Sequence, residues 1–333
     1  MSGMTQRFAV LALAVTLFAA CDRTSAHEPE SHASLAPPLP AAQPPAQPAR
    51  LSDRLARPAP ARLVAIGDLH GDLDHARRAL RLAGAIDAHD GWIGGKLVVV
   101  QTGDEIDRGD DDRAILDLVE KLKGDAANAG GAIVALLGNH EIMNASLDFR
   151  YVTPGGFAAF SLFTVPDGGA LPSQIDPEAR GRAAAFEPGG VYARMLARRP
   201  IVAEVGETVF VHGGILPKHV AYGLDAMNDE VDAWLLAKRA SPPAIVVSED
   251  GPVWSRLYSE DETSAACATL SEALAAMGAT RMVVGHTVQR GGVTSACGGK
   301  LWRIDVGLSH YFGGPIEALE IVGDKVSVLR EAR

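Results

Sequence analysis

Three times in its first half the chain runs through a short apolar stretch, breaks at glycine, and delivers side chains of the kind that bind metals. Leu63–Ile66 leads to Gly67-Asp68-Leu69-His70-Gly71, and Leu97–Val100 to Gly103-Asp104-Glu105-Ile106-Asp107-Arg108-Gly109. Ile133–Leu137 leads to Gly138-Asn139-His140-Glu141. Short apolar runs bounded by turn residues read as buried strands, and α/β sheets place their ligands just beyond the strand ends. The three blocks therefore point to one shared site, with the Asp104 block at its centre.

The intervening residues suit a sheet flanked by helices. Leu73, Ala76, Leu80 and Ala83 have helical spacing and Gly84 fits the end of that helix. Asp111 or Asp112 can cap a second helix over Ala114–Leu122. Residues 145–199 mix Pro-Gly-Gly turns with short helical patterns such as Tyr192–Leu196 and read as a cap or insertion beside the site. Pro200–Ala203 and Thr208–Val211 then read as a hairpin whose second arm delivers His212-Gly213-Gly214. Helices are expected over Asp225–Leu236 and Leu270–Met277, and strand Arg281–Val284 ends in Gly285-His286. Segments around Val293, Leu301–Ile304, Ile316–Ile321 and Val326–Leu329 are expected to complete a second sheet.

Asp68, His70, Asp104, Asn139, His212 and His286 form a mixed oxygen and nitrogen donor set without thiolates, which suits divalent manganese, iron or zinc. Two such ions sharing a carboxylate are the usual apparatus for hydrolysing a phosphate ester, generating a hydroxide near neutral pH and neutralising phosphoryl oxygens. His140 beside a carboxylate is the natural proton donor to the leaving group, while Arg108 and Arg256 can hold the non-bridging oxygens through planar hydrogen bonds. His75, His89, His219 and His310 are read as ordinary surface or core histidines. Asp110, Asp111 and Asp112 are read as a solvated helix start favoured by the dipole, and Glu141 as a support behind the ligands. Trp254 suits the substrate cleft and the core equally.

At these residues the chain resembles the phosphoprotein phosphatase branch of the metallophosphoesterases, whose GDxHG, GDxxDRG and GNHE blocks stand complete at 67–71, 103–109 and 138–141, followed by HGG at 212–214 and GH at 285–286. The Pro252–Arg256 and Gly285–Gln289 strings and the cysteine pair are similar to the bacterial-type, Shewanella-like phosphatases. Leu137 stands where eukaryotic members carry arginine, and Asp305-Val306-Gly307-Leu308-Ser309 where they have SAPNY. The resemblance implies an α/β/β/α sandwich of two mixed sheets over residues 61–333 with a dimetal site at the loop edge. It implies that Asp68 and His70 hold one metal, Asp104 bridges, and Asn139, His212 and His286 hold the second. It makes His140 with Asp107 the proton donor, puts Arg108 and Arg256 on phosphate, and makes manganese the ion expected to support activity in vitro. The implied function is phosphomonoester hydrolysis, with phosphoproteins or phosphopeptides, on serine/threonine or tyrosine, as leading substrates. Two alternatives are a hydrolase of dinucleoside polyphosphates or other small phosphoesters, and a tethered metal- or phosphate-binding module without turnover.

Ahead of this domain, Arg7 precedes the apolar run Phe8–Ala20, too short for a mature membrane span but suited to a secretory signal. It ends Leu17-Phe18-Ala19-Ala20-Cys21, which resembles a bacterial lipobox. Residues 1–21 are accordingly read as a signal peptide, with export to the periplasm or cell envelope and a lipid anchor on Cys21 as the membrane link. Residues 22–60, rich in Pro, Ala, Ser and Gln, read as a disordered tether. In an oxidising compartment Cys267 and Cys297 are a plausible disulfide bracketing His286. The net charge of −10 argues against a nucleic-acid partner. The oligomeric state is left open, a twofold dimer being merely the commonest default.

Overall fold

The computed structural model describes residues 51–165 and 168–332. The expected signal peptide, Cys21 and most of the expected tether lie outside the described residues. The end of the expected tether does not behave as one. Leu51 and Leu55 are buried, and β1 (Ala56–Arg57) pairs in parallel with the strand Val202–Val205. Ser52 also bonds to Asp225, and Arg54 pairs with Asp229 at 2.7 Å. Two leucines at a four-residue spacing supply the apolar anchor that the preceding Pro/Ala stretch lacks.

The three apolar runs form β2 (Leu63–Ile66), β3 (Val98–Gln101) and β4 (Ala132–Ala135), parallel and in register Ala65↔Val100↔Val134. They continue into β10 (Glu317–Val322) and β11 (Lys325–Arg330) to make a five-stranded sheet of order β11-β10-β2-β3-β4. The last two strands were expected in the other sheet. Instead the chain returns across the molecule and pairs β10 antiparallel to β2, Leu319 opposite Ala65. A strand's apolar pattern records that it is buried but not which neighbour it takes. The second sheet has order β1-β5-β6-β7-β9-β8. It contains β5 (Val202–Val205), β6 (Thr208–Val211), β7 (Arg281–Val284), β8 (Thr294–Ala296) and β9 (Leu301–Arg303).

Alternation along β6 and β7 shows how the layers stack. Phe210 and Val283 face the first sheet in one core, while Val209, Val211, Met282 and Val284 belong to a second core on the opposite face. The first core also takes α1 (Leu73–Leu82) and the inner face of α2 (Asp112–Asn128). The second takes α3 (Asn139–Ala145), α5 (Arg180–Phe186), α6 (Val191–Leu196), α7 (Pro217–Tyr222), α8 (Leu224–Leu235), α9 (Ala244–Val247) and α10 (Ser264–Met277). The insertion is thus short helices, α4 (Pro154–Ala158), α5 and α6, joined by loops. This is the sandwich of two mixed sheets that the sequence implies. Cys267 in α10 is bonded to Cys297, with Cα atoms 5.3 Å apart, so the pair closes the segment containing β7 and His286. No helix among the described residues is long and apolar enough to cross a membrane.

Candidate active site

The loops after β2, β3, β4, β6 and β7 meet at one edge of the two sheets, and each brings its block. Close approach there demands glycine. A Cβ on Gly138 would lie 2.1 Å from Asp104 Oδ1, and one on Gly285 would lie 2.4 Å from Asp68 Oδ1. The backbone is strained at the functional residues themselves. His70 (φ 46°), Asp104 (56°), Asp107 (69°), Arg108 (69°) and His286 (67°) all occupy the left-handed region that non-glycine residues avoid. Glu141 holds the Asp104 turn in place, accepting from the N–H groups of Gly138 (2.7 Å), Asp104 (2.9 Å) and Glu105 (2.9 Å). That is the supporting role expected of it, and burial raises its pKa to about 7 with help from the Asp104 charge.

Asp104 is the hub. Its Oδ2 lies 3.2 Å from His212 Nε2, 3.8 Å from His140 Nε2 and 4.0 Å from His70 Nε2, and His70 Nε2 is 3.9 Å from Asp68 Oδ2. All six sequence-selected donors are buried. Their orientation fits divalent cations. His212 donates from Nδ1 to the carbonyl of Thr102 at 2.9 Å and turns Nε2 toward Asp104 Oδ2 and, at 2.9 Å, Asn139 Oδ1; burial alone would lower its pKa, but the Asp104 carboxylate outweighs that and raises it. Two oxygens converging on one ring nitrogen favour positive charge there, which a divalent cation supplies as a proton does. His286 Nε2 is buried without any hydrogen-bond partner. Burial and the nearby His212 and His140 rings push His286 to about 2 and His70 to about 3, so both are neutral imidazoles with a lone pair to give. Asp68 is raised by burial and by the charges of Asp305 and Asp104, a repulsion that a bound cation relieves.

His140 is different. Its Nδ1 is 2.7 Å from Asp107 Oδ2. Burial alone would lower its pKa, but the carboxylates of Asp104 and Asp107 outweigh that and raise it. Asp107 is held in turn. Its Oδ1 pairs with Arg182 Nη2 at 2.9 Å, and Asn144 donates to both its oxygens at 3.0 and 3.1 Å. Arg182 also reaches Asp112 at 2.7 Å, Asn144 Oδ1 at 2.7 Å and the carbonyl of Gly156 at 2.9 Å.

Sequence reasoning missed Arg182, Asn144 and Asp112. Arg182 comes from the weakly patterned insertion, and Asp112 was expected to be solvated. Instead Asp112 is buried, accepts the Asp107 N–H at 2.9 Å, and is pushed by burial to about 6. The one available signal for Asn144 was its position one helical turn after His140.

The cleft over these residues has a volume of about 240 Å³ and is lined in part by Arg108, Tyr151, Trp254, Arg256, Asp305 and Phe312. Both expected arginines therefore reach it. Arg108 lies over the Tyr151 ring at 4.3 Å and near the Tyr311 and Phe312 rings at 5.0 and 5.3 Å. Arg256 donates to the carbonyl of His286 at 3.1 Å and to Thr287 Oγ1 at 2.8 Å. Trp254 belongs to the cleft as well as to the core packing, and Asp305 is a site residue that its short loop did not announce.

A mixed-ligand cluster centred on one aspartate, at the loop edge of two stacked sheets, defines a metallophosphoesterase. The chain belongs to the calcineurin-like phosphoesterase family, whose model matches residues 61–290. It is similar to Shewanella-like protein phosphatase 2 of Arabidopsis thaliana, with 42% identity covering 80% of this chain and 76% of that protein. It is also similar to Shewanella-like protein phosphatase 1 of Plasmodium berghei, at 28% identity over 81% of this chain and 74% of that one. A cold-active protein-tyrosine phosphatase of a psychrophilic Shewanella species shares the fold, with a TM-score of 0.68 and 24% identity covering 84% and 83% of the two chains. A protein serine/threonine phosphatase of Saccharomyces cerevisiae shares it more distantly, with a TM-score of 0.53 and 16% identity covering 86% and 85%.

Proposed function

We propose that this chain is a metal-dependent phosphatase acting on phosphorylated proteins or peptides. The observation that carries the proposal is the His140–Asp107 pair, 2.7 Å apart, standing beside the Asp104 cluster, because a module that only binds metal or phosphate needs no proton donor. The named relatives support phosphoprotein as the substrate class.

Asp68 and His70 would hold one cation, Asn139, His212 and His286 the second, with Asp104 shared. Manganese, iron and zinc all suit the donor set. When bound, the pair of cations supplies a hydroxide nucleophile and neutralises phosphoryl charge. Arg108 and Arg256 bind and orient the non-bridging oxygens. Arg108 suits this because its Nε, though buried, has no hydrogen-bond partner among the described residues. His140 donates its Nε2 proton to the leaving oxygen while Asp107 steadies the imidazolium through Nδ1. Arg182 and Asn144 keep Asp107 oriented toward His140. The aromatic walls offer a phosphoaryl group a stacking surface, which favours phosphotyrosine over phosphoserine. The Phe8–Ala20 run and Cys21 support an exported, lipid-anchored enzyme, and a Cys267–Cys297 bond accords with an oxidising compartment.

The test is turnover by the chain stripped of metal with chelator and refilled with manganese, offered phosphotyrosine peptide, phosphothreonine peptide and diadenosine tetraphosphate. Manganese-dependent peptide turnover supports the proposal. Turnover of the dinucleotide alone would move the enzyme to small phosphoesters, and binding of two metals without any turnover would make it a binding module.

A further inference from the structure

Away from the Asp104 cluster, three side chains converge that the proposed reaction does not use. Asp72 caps α1, His75 lies in the first turn of the same helix, and His310 comes from the loop after β9. Asp72 Oδ2 lies 2.9 Å from His75 Nδ1 and 2.8 Å from His310 Nδ1, and the two Nδ1 atoms are 3.0 Å apart. The two rings stand edge to face with centroids 4.3 Å apart.

Hydrogen bonding alone uses only part of what this arrangement offers. Asp72 Oδ2 already accepts the backbone N–H of His310 at 2.7 Å, while its Oδ1 accepts the N–H of His75 at 3.0 Å. One lone pair of Oδ2 is then left facing two imidazole nitrogens. Both nitrogens cannot carry protons without those protons opposing each other across the 3.0 Å gap, so hydrogen bonding places a proton on one Nδ1 and leaves the lone pair of the other facing it. A cation lets all three atoms contribute lone pairs to the same point. Tetrahedral zinc, with bonds of roughly 2.0–2.1 Å, needs its ligand atoms about 3.3 Å apart. The triad must therefore open by only a few tenths of an ångström, and His310, 79% exposed in its side chain, is free to do so. Two imidazoles with one carboxylate suit zinc rather than magnesium or calcium.

We propose that Asp72, His75 and His310 form a separate zinc site that clamps the loop after β9 to the start of α1. The cation on Nδ1 puts the His75 proton on Nε2, so Arg78, whose Nη1 now lies 3.4 Å from that atom, turns away while keeping its pairing with Glu331. The clamp reaches the cleft through the chain itself, because Tyr311 and Phe312, next to His310, stand against Arg108. Occupancy of the site thereby fixes one aromatic wall around the phosphate-binding arginine.

The experiment is equilibrium dialysis of the full chain against zinc, with bound metal counted by elemental mass spectrometry. The chains compared are wild type, His310→Ala, His75→Ala, the Asp104→Asn/His286→Ala double variant, and the double variant carrying His310→Ala. His310→Ala and His75→Ala should each hold one zinc fewer than wild type. The double variant should keep one zinc that adding His310→Ala removes. Wild-type stoichiometry in both single variants would overturn the site, as would a folded double variant that binds no zinc. Failure of the catalytic cluster would instead show as equal zinc in wild type and double variant. Zinc should also slow amide exchange over residues 309–313 in wild type but not in His310→Ala, and unchanged exchange in wild type would overturn the clamp.

Discussion

Arg182 holds Asp107 of the Asp107–His140 pair while Arg108 shares the cleft with His140, and the two arginines are built for opposite purposes. Arg182 is fully buried, and its guanidinium meets Asp107, Asp112, Asn144 and a carbonyl. Arg108 is half-buried beside aromatic rings in the cleft, with no acidic partner reaching its side chain among the described ion pairs. An arginine whose donors are all occupied fixes geometry. One whose donors stay free in a cleft is available to an anion from solution. The insertion thus reaches the site from behind as well as from its rim, since Arg182 and Tyr151 both come from it.

The largest effect that would test this contrast is on stability. Arg182→Met leaves two buried carboxylates without their cation and should cost about 3–5 kcal/mol, read as a fall in the urea midpoint. Arg108→Met should change stability by no more than about 1 kcal/mol, the scale of a lost exposed cation–π contact. In steady-state kinetics the order reverses for substrate binding. Arg108→Met should raise KM for phosphopeptides by roughly tenfold or more, the loss of a charge-assisted hydrogen bond worth about 1.5–3 kcal/mol. Equal stability losses in the two variants would break the comparison.

The disulfide supplies the next effect. Cys267 and Cys297 are 30 residues apart, and loop closure of that size stabilises by about 3–4 kcal/mol in the chain-entropy model. Cys267→Ala, or dithiothreitol on wild type, should lower the melting temperature and with it the activity that depends on His286. An unchanged melting temperature would show that the bond adds nothing there. The smallest effect is expected at Arg256, already bonded to its own chain. Arg256→Lys should lower kcat/KM by about tenfold, close to one hydrogen bond, and a larger loss would place Arg256 beside Arg108 as a principal phosphate ligand.

Much of the site was legible because its chemistry is written in short contiguous blocks at strand ends. Asp68, His70, Asp104, Asn139, His212 and His286 converge because their strands are neighbours in two stacked sheets, and a buried apolar run announces such a strand. What could not be read depends on contacts distant in sequence. Arg182 meets Asp107 across 75 residues, and the short helix that carries it has no pattern to mark its partner. β10 joins β2 from the far end of the domain, and an apolar run does not encode its neighbour. His310 looks ordinary until folding brings it to Asp72. Residues 51–57 look like tether until Leu51 and Leu55 find the core.

His140, steadied by Asp107, is proposed to deliver a proton to the leaving oxygen. The most direct test of that step is kcat for wild type and His140→Asn, both filled with manganese, on aryl phosphates of increasing leaving-group acidity from phosphotyrosine peptide to p-nitrophenyl phosphate. General-acid catalysis contributes about 10²–10⁴-fold. The variant should therefore lose that much on phosphotyrosine and progressively less as the leaving group needs its proton less. A loss of the same size across the whole series, or no loss at all, would contradict the assignment.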